Sequence, residues 1–336
     1  PYGNALRVQA DSLAQPFDIN EGMKLILGST AKLRTLANYL DIVADLYQEF
    51  SELDKKTLRK HSRNARDPIT RWASRMILRN KGISLEELLE KALDRSYSAN
   101  PNEAFFTGGG IHRFRNFRSK HDSQIISVRE ATIHSINLVY IRLMRDLVRF
   151  YKARLPYDAD KILRDSKYPD RLRLLEEVAD NEAKLYLRRF YRYFRRTEPD
   201  AVLKKLLKRR ITSARHLAIT FFAWHPAAGE AELSEWLKKH KPGISESKIR
   251  YLAGAYGKPH LTMSDYGFLL RQHPLKVWCA GEMIRNPDIS WKRLVDKSEV
   301  IRRRTSEWLF RPKMRRHQNI RLRTRIEADA FDEMTV

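Results

Sequence analysis

Two short spacings in the chain bring hydroxyl groups near polar nitrogens. The first is Ser29-Thr30-Ala31-Lys32, with hydroxyl and amine three residues apart. On a helix that is one turn, so the two side chains share a face. A serine hydroxyl becomes a nucleophile when a neighbouring base takes its proton, and a lysine desolvated in a closed site can do this. A helix N-terminus also favours the oxyanion that forms next. The second spacing is Ser135-Ile136-Asn137, set in an apolar run of helical period. Neither pattern is rare. Ser-x-x-Lys recurs at Ser245 to Lys248, and Ser-x-Asn recurs at Ser62-Arg63-Asn64 and Ser98-Ala99-Asn100. A serine in the first turn also has a structural use, as a cap for an orphan N–H. Ser29 therefore reads either as a helix cap or as a nucleophile, and Ser245 reads as a cap.

The elements that must carry these residues follow from hydrophobic period and punctuation. Gly28 permits a tight bend before Ser29. Residues 29–50 read as one helix, with Leu33, Leu36, Tyr39, Leu40, Ile42, Val43, Leu46 and Phe50 at three- and four-residue steps. Further helices are expected over 68–79 and 84–96, the second opened by a Ser84/Glu87 capping box. Residues 97–126 break the period. Their Gly108-Gly109-Gly110 run lacks phosphate-loop spacing and reads as a loop beside the site. Ser127 and Glu130 form another capping-box pattern, opening one helix that runs through Ser135 and Asn137. Its expected buried face is Ile133, Ile136, Val139, Tyr140, Leu143, Leu147 and Phe150. Upstream, residues 5–10 alternate like a strand.

The second half differs in character. Residues 184–215 hold twelve Lys and Arg against Glu198 and Asp200, with Tyr186, Phe190, Tyr191, Tyr193 and Phe194 interleaved. Such a stripe could stack bases and contact phosphates. At helical spacing the aromatics more often pack a core, and that reading is preferred. Helices are expected at 233–240, 245–256 and 264–283. The last two flank Gly257-Lys258-Pro259, a connection too long for a helix-turn-helix reader. Residues 291–325 are basic around Trp291 and Trp308, and no internal repeat is visible.

With 336 residues the chain can form about two domains, and 42% apolar residues place it among globular proteins. The net charge of +24 implies a nucleic-acid partner, an anionic surface, or solvated helix faces. The single cysteine, Cys279, excludes an internal disulfide and a cysteine-based zinc site. The histidines lack ligand spacing, so neither metal nor cofactor is expected. No signal peptide is visible, and no apolar run approaches the ~18 residues of a membrane span. The chain starts at Pro1 and stops at Val336 within helical pattern, and is expected to be an excerpt of a longer protein.

The surroundings of the two spacings add a resemblance. The run LRVQAD…QPFDINEGMKLILGSTAKLRTL resembles the nucleophile region of penicillin-binding proteins, the serine D,D-transpeptidases of cell-wall synthesis. VREATIHSINLVYIRL is similar to the segment of that family in which a helix carries Ser-x-Asn, and the order of the two motifs agrees. The implied fold is an α-rich α/β one, an incomplete penicillin-binding/β-lactamase-like transpeptidase domain with a large, basic, mostly helical insertion. Residues 1–150 would be the N-terminal part of that domain and residues 151–336 the insertion. The resemblance implies Ser29 as nucleophile, Lys32 as its base, Ser135 as proton relay, and Asn137 as the group that holds the substrate amide and helps position Lys32. The backbone N–H of Ser29 would supply half of the oxyanion hole.

The implied partners are peptidoglycan stem peptides, glycan strands and β-lactams, with an anionic membrane surface or cell-wall assembly proteins for the basic part. The implied location is the cell envelope, at the periplasmic face of the inner membrane, in a protein of the bifunctional glycosyltransferase/transpeptidase class. Ser29 and Ser135 lie further apart than in compact members, which makes residues 50–95 a second, smaller insertion. The family's Lys-Thr/Ser-Gly strand has no counterpart. Lys56-Thr57-Leu58 and Lys241-Pro242-Gly243 are near-misses in other places, so the excerpt by itself is expected to be inactive. Two alternatives remain: a basic helical nucleic-acid-binding protein, and a non-catalytic relative of the transpeptidase fold.

Overall fold

The computed structural model describes residues 28–107 and 110–334. They divide into two compact units, residues 1–159 with 326–336, and residues 160–325.

The first unit begins with the bend expected at Gly28, which takes φ +54°, the left-handed conformation. A 3-10 turn, Gly28–Thr30, feeds α1 (Ala31–Phe50). Tyr39, Ile42, Val43, Leu46 and Phe50 face the core from α1 at helical steps. Leu33, expected on that face, is 60% exposed. The first turn of α1 stands clear of the core, which leaves Ser29 and Lys32 open to a cleft. Asp54 caps α2 (Lys55–Asn64) through the Lys56 and Thr57 N–H groups. Asp67 caps α3 (Pro68–Arg79), with Pro68 in the first turn where a missing N–H costs nothing. α4 (Leu85–Leu93) carries the expected Ser84/Glu87 capping box. It stops short of Ser96 because Ser96 enters a strand.

That strand, β1 (Ser96–Ser98), has its partner beyond a hairpin formed by β2 (Ala104–Thr107) and β3 (Gly110–Arg113). The partner is β4 (Ile125–Ser127), antiparallel, with Ser96 opposite Ser127. Of the run expected as a glycine loop, Gly110 opens β3, and Gly108 and Gly109 lie outside the described residues. Phe105, Phe106 and Thr107 suit a pleated surface, and Gly110 takes φ +125° where the ladder closes. These two-stranded ladders are the only sheet among the described residues, so the fold is α-rich. The strand expected over 5–10 lies outside the described residues. α5 (Val128–Ile133) and α6 (Asn137–Lys152) complete the sequence of elements before the second unit. The single helix expected there is broken at Ser135, and Ile133, expected in its buried face, is 71% exposed.

A largely buried cation ties this unit together. Arg95 lies over the rings of Tyr39, Trp72 and Tyr97 at 5.6, 5.4 and 5.4 Å. It pairs with Asp146 of α6 at 3.2 Å, and the Tyr97 hydroxyl donates to the same carboxylate at 2.9 Å. α1, α3, β1 and α6 thus meet around one satisfied charge.

The second unit is helical throughout the described residues. Its elements are α7 (Ala159–Arg164), α8 (Pro169–Phe194), α9 (Pro199–Leu207), α10 (Ala214–Trp224), α11 (Glu230–His240) and α12 (Glu246–Tyr256). They continue with α13 (Met263–Leu270), α14 (Pro274–Arg285), α15 (Trp291–Lys297), α16 (Glu299–Ser306) and α17 (Arg315–Asp332). The helix expected over 264–283 is two helices. Arg271 takes φ +50°, and Pro274 starts the next helix where its ring is tolerated. Ser245 caps α12, as expected, by accepting from the Lys248 N–H at 3.3 Å. Gly281 lets α14 approach the Trp224 ring, which a Cβ would meet at 2.6 Å, and the indole N–H donates to the Val277 carbonyl. Of the interleaved aromatics, Phe194 is fully buried and Phe190 and Tyr191 pack on the core. Tyr186 and Tyr193 are exposed.

The unit boundary falls after Ala159, past the end of α6, which an edge at residue 150 would have cut. The end of α17 returns to the first unit, against the expectation that 151–336 is one piece. There Lys152 pairs with Glu327 at 3.6 Å and the Tyr157 hydroxyl donates to the Asp329 carboxylate. Among the described residues no helix is long and apolar enough to cross a membrane, and no acid/His/Cys cluster could hold a metal ion. Cys279 is buried, and burial pushes its thiol up to about 12.

Candidate active site

The two motifs meet although more than a hundred residues separate them. The Lys32 Nζ lies 3.3 Å from the Ser29 Oγ, 2.9 Å from the Ser135 Oγ, 2.7 Å from the Ser135 carbonyl oxygen and 2.7 Å from the Asn137 Oδ1. Helical spacing brings Ser29 to Lys32. Tertiary packing of α6 against α1 brings Ser135 and Asn137. The recurrences elsewhere do not join them: Ser62 and Asn64 lie in α2, Ser98 and Asn100 at the end of β1, and Ser245 is a cap.

The break between α5 and α6 aims the second motif. His134 ends α5, and Ser135 takes φ +53°. The Ser135 N–H donates to the Thr132 carbonyl and the Ile136 N–H to the Ala131 carbonyl, the bond pattern of a Schellman motif. Glycine is the usual residue at the left-handed position, and serine there carries about 1 kcal/mol of strain. The turn exposes both the hydroxyl and the carbonyl of Ser135 towards Lys32. Asn137 then opens α6. Its Nδ2 donates to the Arg115 carbonyl at 3.0 Å, which leaves Oδ1 directed at Lys32.

Asn116 secures that helix start from outside. Its Oδ1 accepts from the Leu138 N–H at 3.0 Å, satisfying an orphan donor of α6. Its Nδ2 donates to the Ala99 carbonyl and to Asp122 Oδ1, each at 2.8 Å. Neither Arg115 nor Asn116 carries a signal in the sequence, since both lie in the aperiodic segment and act through chain reversal.

Burial lowers the pKa of Lys32 from its ordinary value. The hydrogen bonds around it can be met by a neutral amine. The Ser135 carbonyl and the Asn137 Oδ1 are pure acceptors at 2.7 Å, and a neutral amine has two N–H groups for them. Its lone pair is then left to a hydroxyl, and the two hydroxyls within reach are Ser29 and Ser135. A cavity of about 470 Å³ opens beside them, lined by Ser29, Ser135, Asn137, Arg118, His121 and His134 among others. His121 and His134 stack there at 6.1 Å. Sequence reading gave no role to Arg118 or to either histidine.

Such an arrangement can deprotonate a serine and pass the proton on through a second one. No protein-family model, curated protein or solved structure matches the chain.

Proposed function

We propose that the protein is a serine acyltransferase of the penicillin-binding, D,D-transpeptidase type, with the first unit as the N-terminal part of that catalytic domain and residues 160–325 inserted in it. The observation that carries this reading is the single amine, Lys32, within hydrogen-bond distance of both motif serines and of Asn137. Neutral Lys32 takes the Ser29 proton as the oxygen attacks the penultimate carbonyl of a peptide ending in D-Ala-D-Ala. Ser135, hydrogen-bonded to the same amine, passes a proton to the leaving D-alanine nitrogen. A Ser29 ester remains, and an acceptor amine of a second stem peptide displaces it, with the hydroxyl proton returning to Ser29. A β-lactam follows the first half and stays as the ester.

Asn137 has one N–H left after its bond to the Arg115 carbonyl, so it can donate once to the substrate amide while still holding Lys32. The basic lining at Arg118, His121 and His134 suits an acyl donor that ends in a carboxylate. In this reading the protein works at the periplasmic face of the inner membrane on peptidoglycan.

The test is covalent labelling of the complete protein by a fluorescent penicillin. Wild type is expected to label at Ser29, and Ser29→Ala to lose the label while keeping its helical circular dichroism and melting temperature. Labelling that survives Ser29→Ala removes the nucleophile assignment. A folded protein that takes no label at all points to a non-catalytic relative.

A further inference from the structure

Residues 160–325 hold 39 Lys and Arg against 19 Asp and Glu, a net +20 of the chain's +24. Several of these cations are neutralised locally, as Arg302 is by Asp180 at 2.7 Å and Arg321 by Glu182 at 2.9 Å. One group is not. Arg210, Arg215 and Arg271 line a cavity of about 540 Å³ together with His216, Gln272 and Phe268, and no carboxylate is in its wall. Among the described residues none of the three guanidiniums has an ion-pair partner.

The three are fixed in different ways. Arg210 donates to the Leu270 carbonyl at 2.7 Å, Arg215 lies over the Tyr256 ring at 5.8 Å, and Arg271 sits at the left-handed end of α13. They converge on one point. Burial and then the charges of Arg210, Arg215 and Arg271 together hold the His216 imidazole below its ordinary pKa. Like charges gathered in a concave, partly desolvated place oppose one another until an anion enters.

We propose that this cavity binds the phosphate group of an anionic membrane lipid. Guanidinium forks match phosphoryl oxygens two at a time, and a phosphomonoester offers three oxygens and up to two charges to three forks, where a carboxylate offers two and one. Phe268 selects the lipid over a soluble phosphate. It stands at the mouth of the cavity with 83% of its surface exposed, where acyl chains would cover it and water does not reward it. A nucleic-acid backbone fits less well, because three guanidiniums gathered around one concavity match the charge of a single terminal phosphate better than phosphodiesters spaced along a strand. The site is independent of the serine chemistry.

The experiment is flotation of the intact chain with vesicles of phosphatidylcholine, alone or containing equal fractions of phosphatidic acid or phosphatidylserine. Binding is expected in the order phosphatidic acid, phosphatidylserine, phosphatidylcholine. Arg215→Gln with Arg271→Asn, the second chosen because asparagine tolerates a left-handed backbone, is expected to weaken phosphatidic-acid binding about tenfold or more. Lys292→Ala with Arg293→Ala removes the same charge from an exposed helix face and is expected to weaken it a few-fold at most. Phe268→Ser is expected to weaken vesicle binding and to leave calorimetric binding of glycerol 3-phosphate unchanged. Glycerol 3-phosphate bound as tightly as the vesicles, with Phe268→Ser without effect, would overturn the lipid in favour of a soluble phosphate. Equal loss from both double variants would reduce the site to general surface charge. Displacement of vesicles by a DNA or RNA duplex that itself depends on Arg215 and Arg271 would replace the lipid by nucleic acid.

Discussion

A lysine with four oxygens around it is ordinarily an ammonium with too many acceptors. Lys32 differs because two of its four neighbours are hydroxyls, which donate as well as accept. Partial burial lowers its pKa and so favours the neutral form, whose lone pair can accept from one of those hydroxyls. A base must be unprotonated, so the rate constant for acylation by a β-lactam is expected to rise with pH through the lowered pKa of Lys32 and level off below the ordinary lysine range. A rising limb at the ordinary lysine value would mean that the amine is solvated and is not the base. Ser29 is free to serve because the helix start does not rely on it: Thr30 occupies the cap position, and its side chain makes no cap bond.

At the scale of elements, the decisive feature is the interruption of one amphipathic run into α5 and α6. The apolar period of the sequence runs across it, but Ile133 before the break is exposed while Ile136 and Val139 after it are buried. The interruption is visible only in the backbone, where Ser135 holds a position that favours glycine. A residue kept in a strained conformation at the meeting point of two motifs separates stability from activity. Ser135→Gly is expected to leave thermal stability unchanged or raise it by about 1 kcal/mol at most, measured by denaturant titration. The same variant is expected to acylate slowly, because the Lys32 amine loses the hydroxyl 2.9 Å away. Loss of both stability and acylation together would give Ser135 a structural role only. Asn116 belongs to this scale too, since it holds the start of α6 to β1 through the Ala99 carbonyl.

For the whole molecule the relevant division is of charge. The first unit, with a net +4 by difference, carries the candidate catalytic groups, and the second carries +20. Attraction between exposed cations and an anionic surface falls as salt shortens the Debye length, from roughly 10 Å at 0.1 M to about 3 Å at 1 M. Chemistry inside a desolvated cleft is screened far less. Raising ionic strength across that range is therefore expected to release the protein from phosphatidic-acid vesicles while changing the penicillin labelling rate by less than about twofold. A parallel fall in both would show that labelling depends on the charged surface.

Much of the molecule was legible in the sequence. Gly28 marked the bend, Ser84 and Ser245 marked helix starts, and the steps from Tyr39 to Phe50 marked the core face of α1. All of these rest on local stereochemistry and period. The site residues were legible as types, since Ser29 and Lys32 share a face through helical spacing alone. Tertiary structure decided the rest. It brought Ser135 and Asn137 to Lys32, a meeting fixed by the packing of α1 and α6 and by the carbonyl of Arg115, which any residue type could supply. It turned Phe105 to Thr107 into a hairpin strand by giving them a partner. It left Leu33 and Ile133 in water because their turns project beyond the core. It also gathered Arg210, Arg215 and Arg271, spread over sixty residues, around one cavity. Local preferences are written residue by residue, whereas which distant groups share a volume depends on every packed side chain between them.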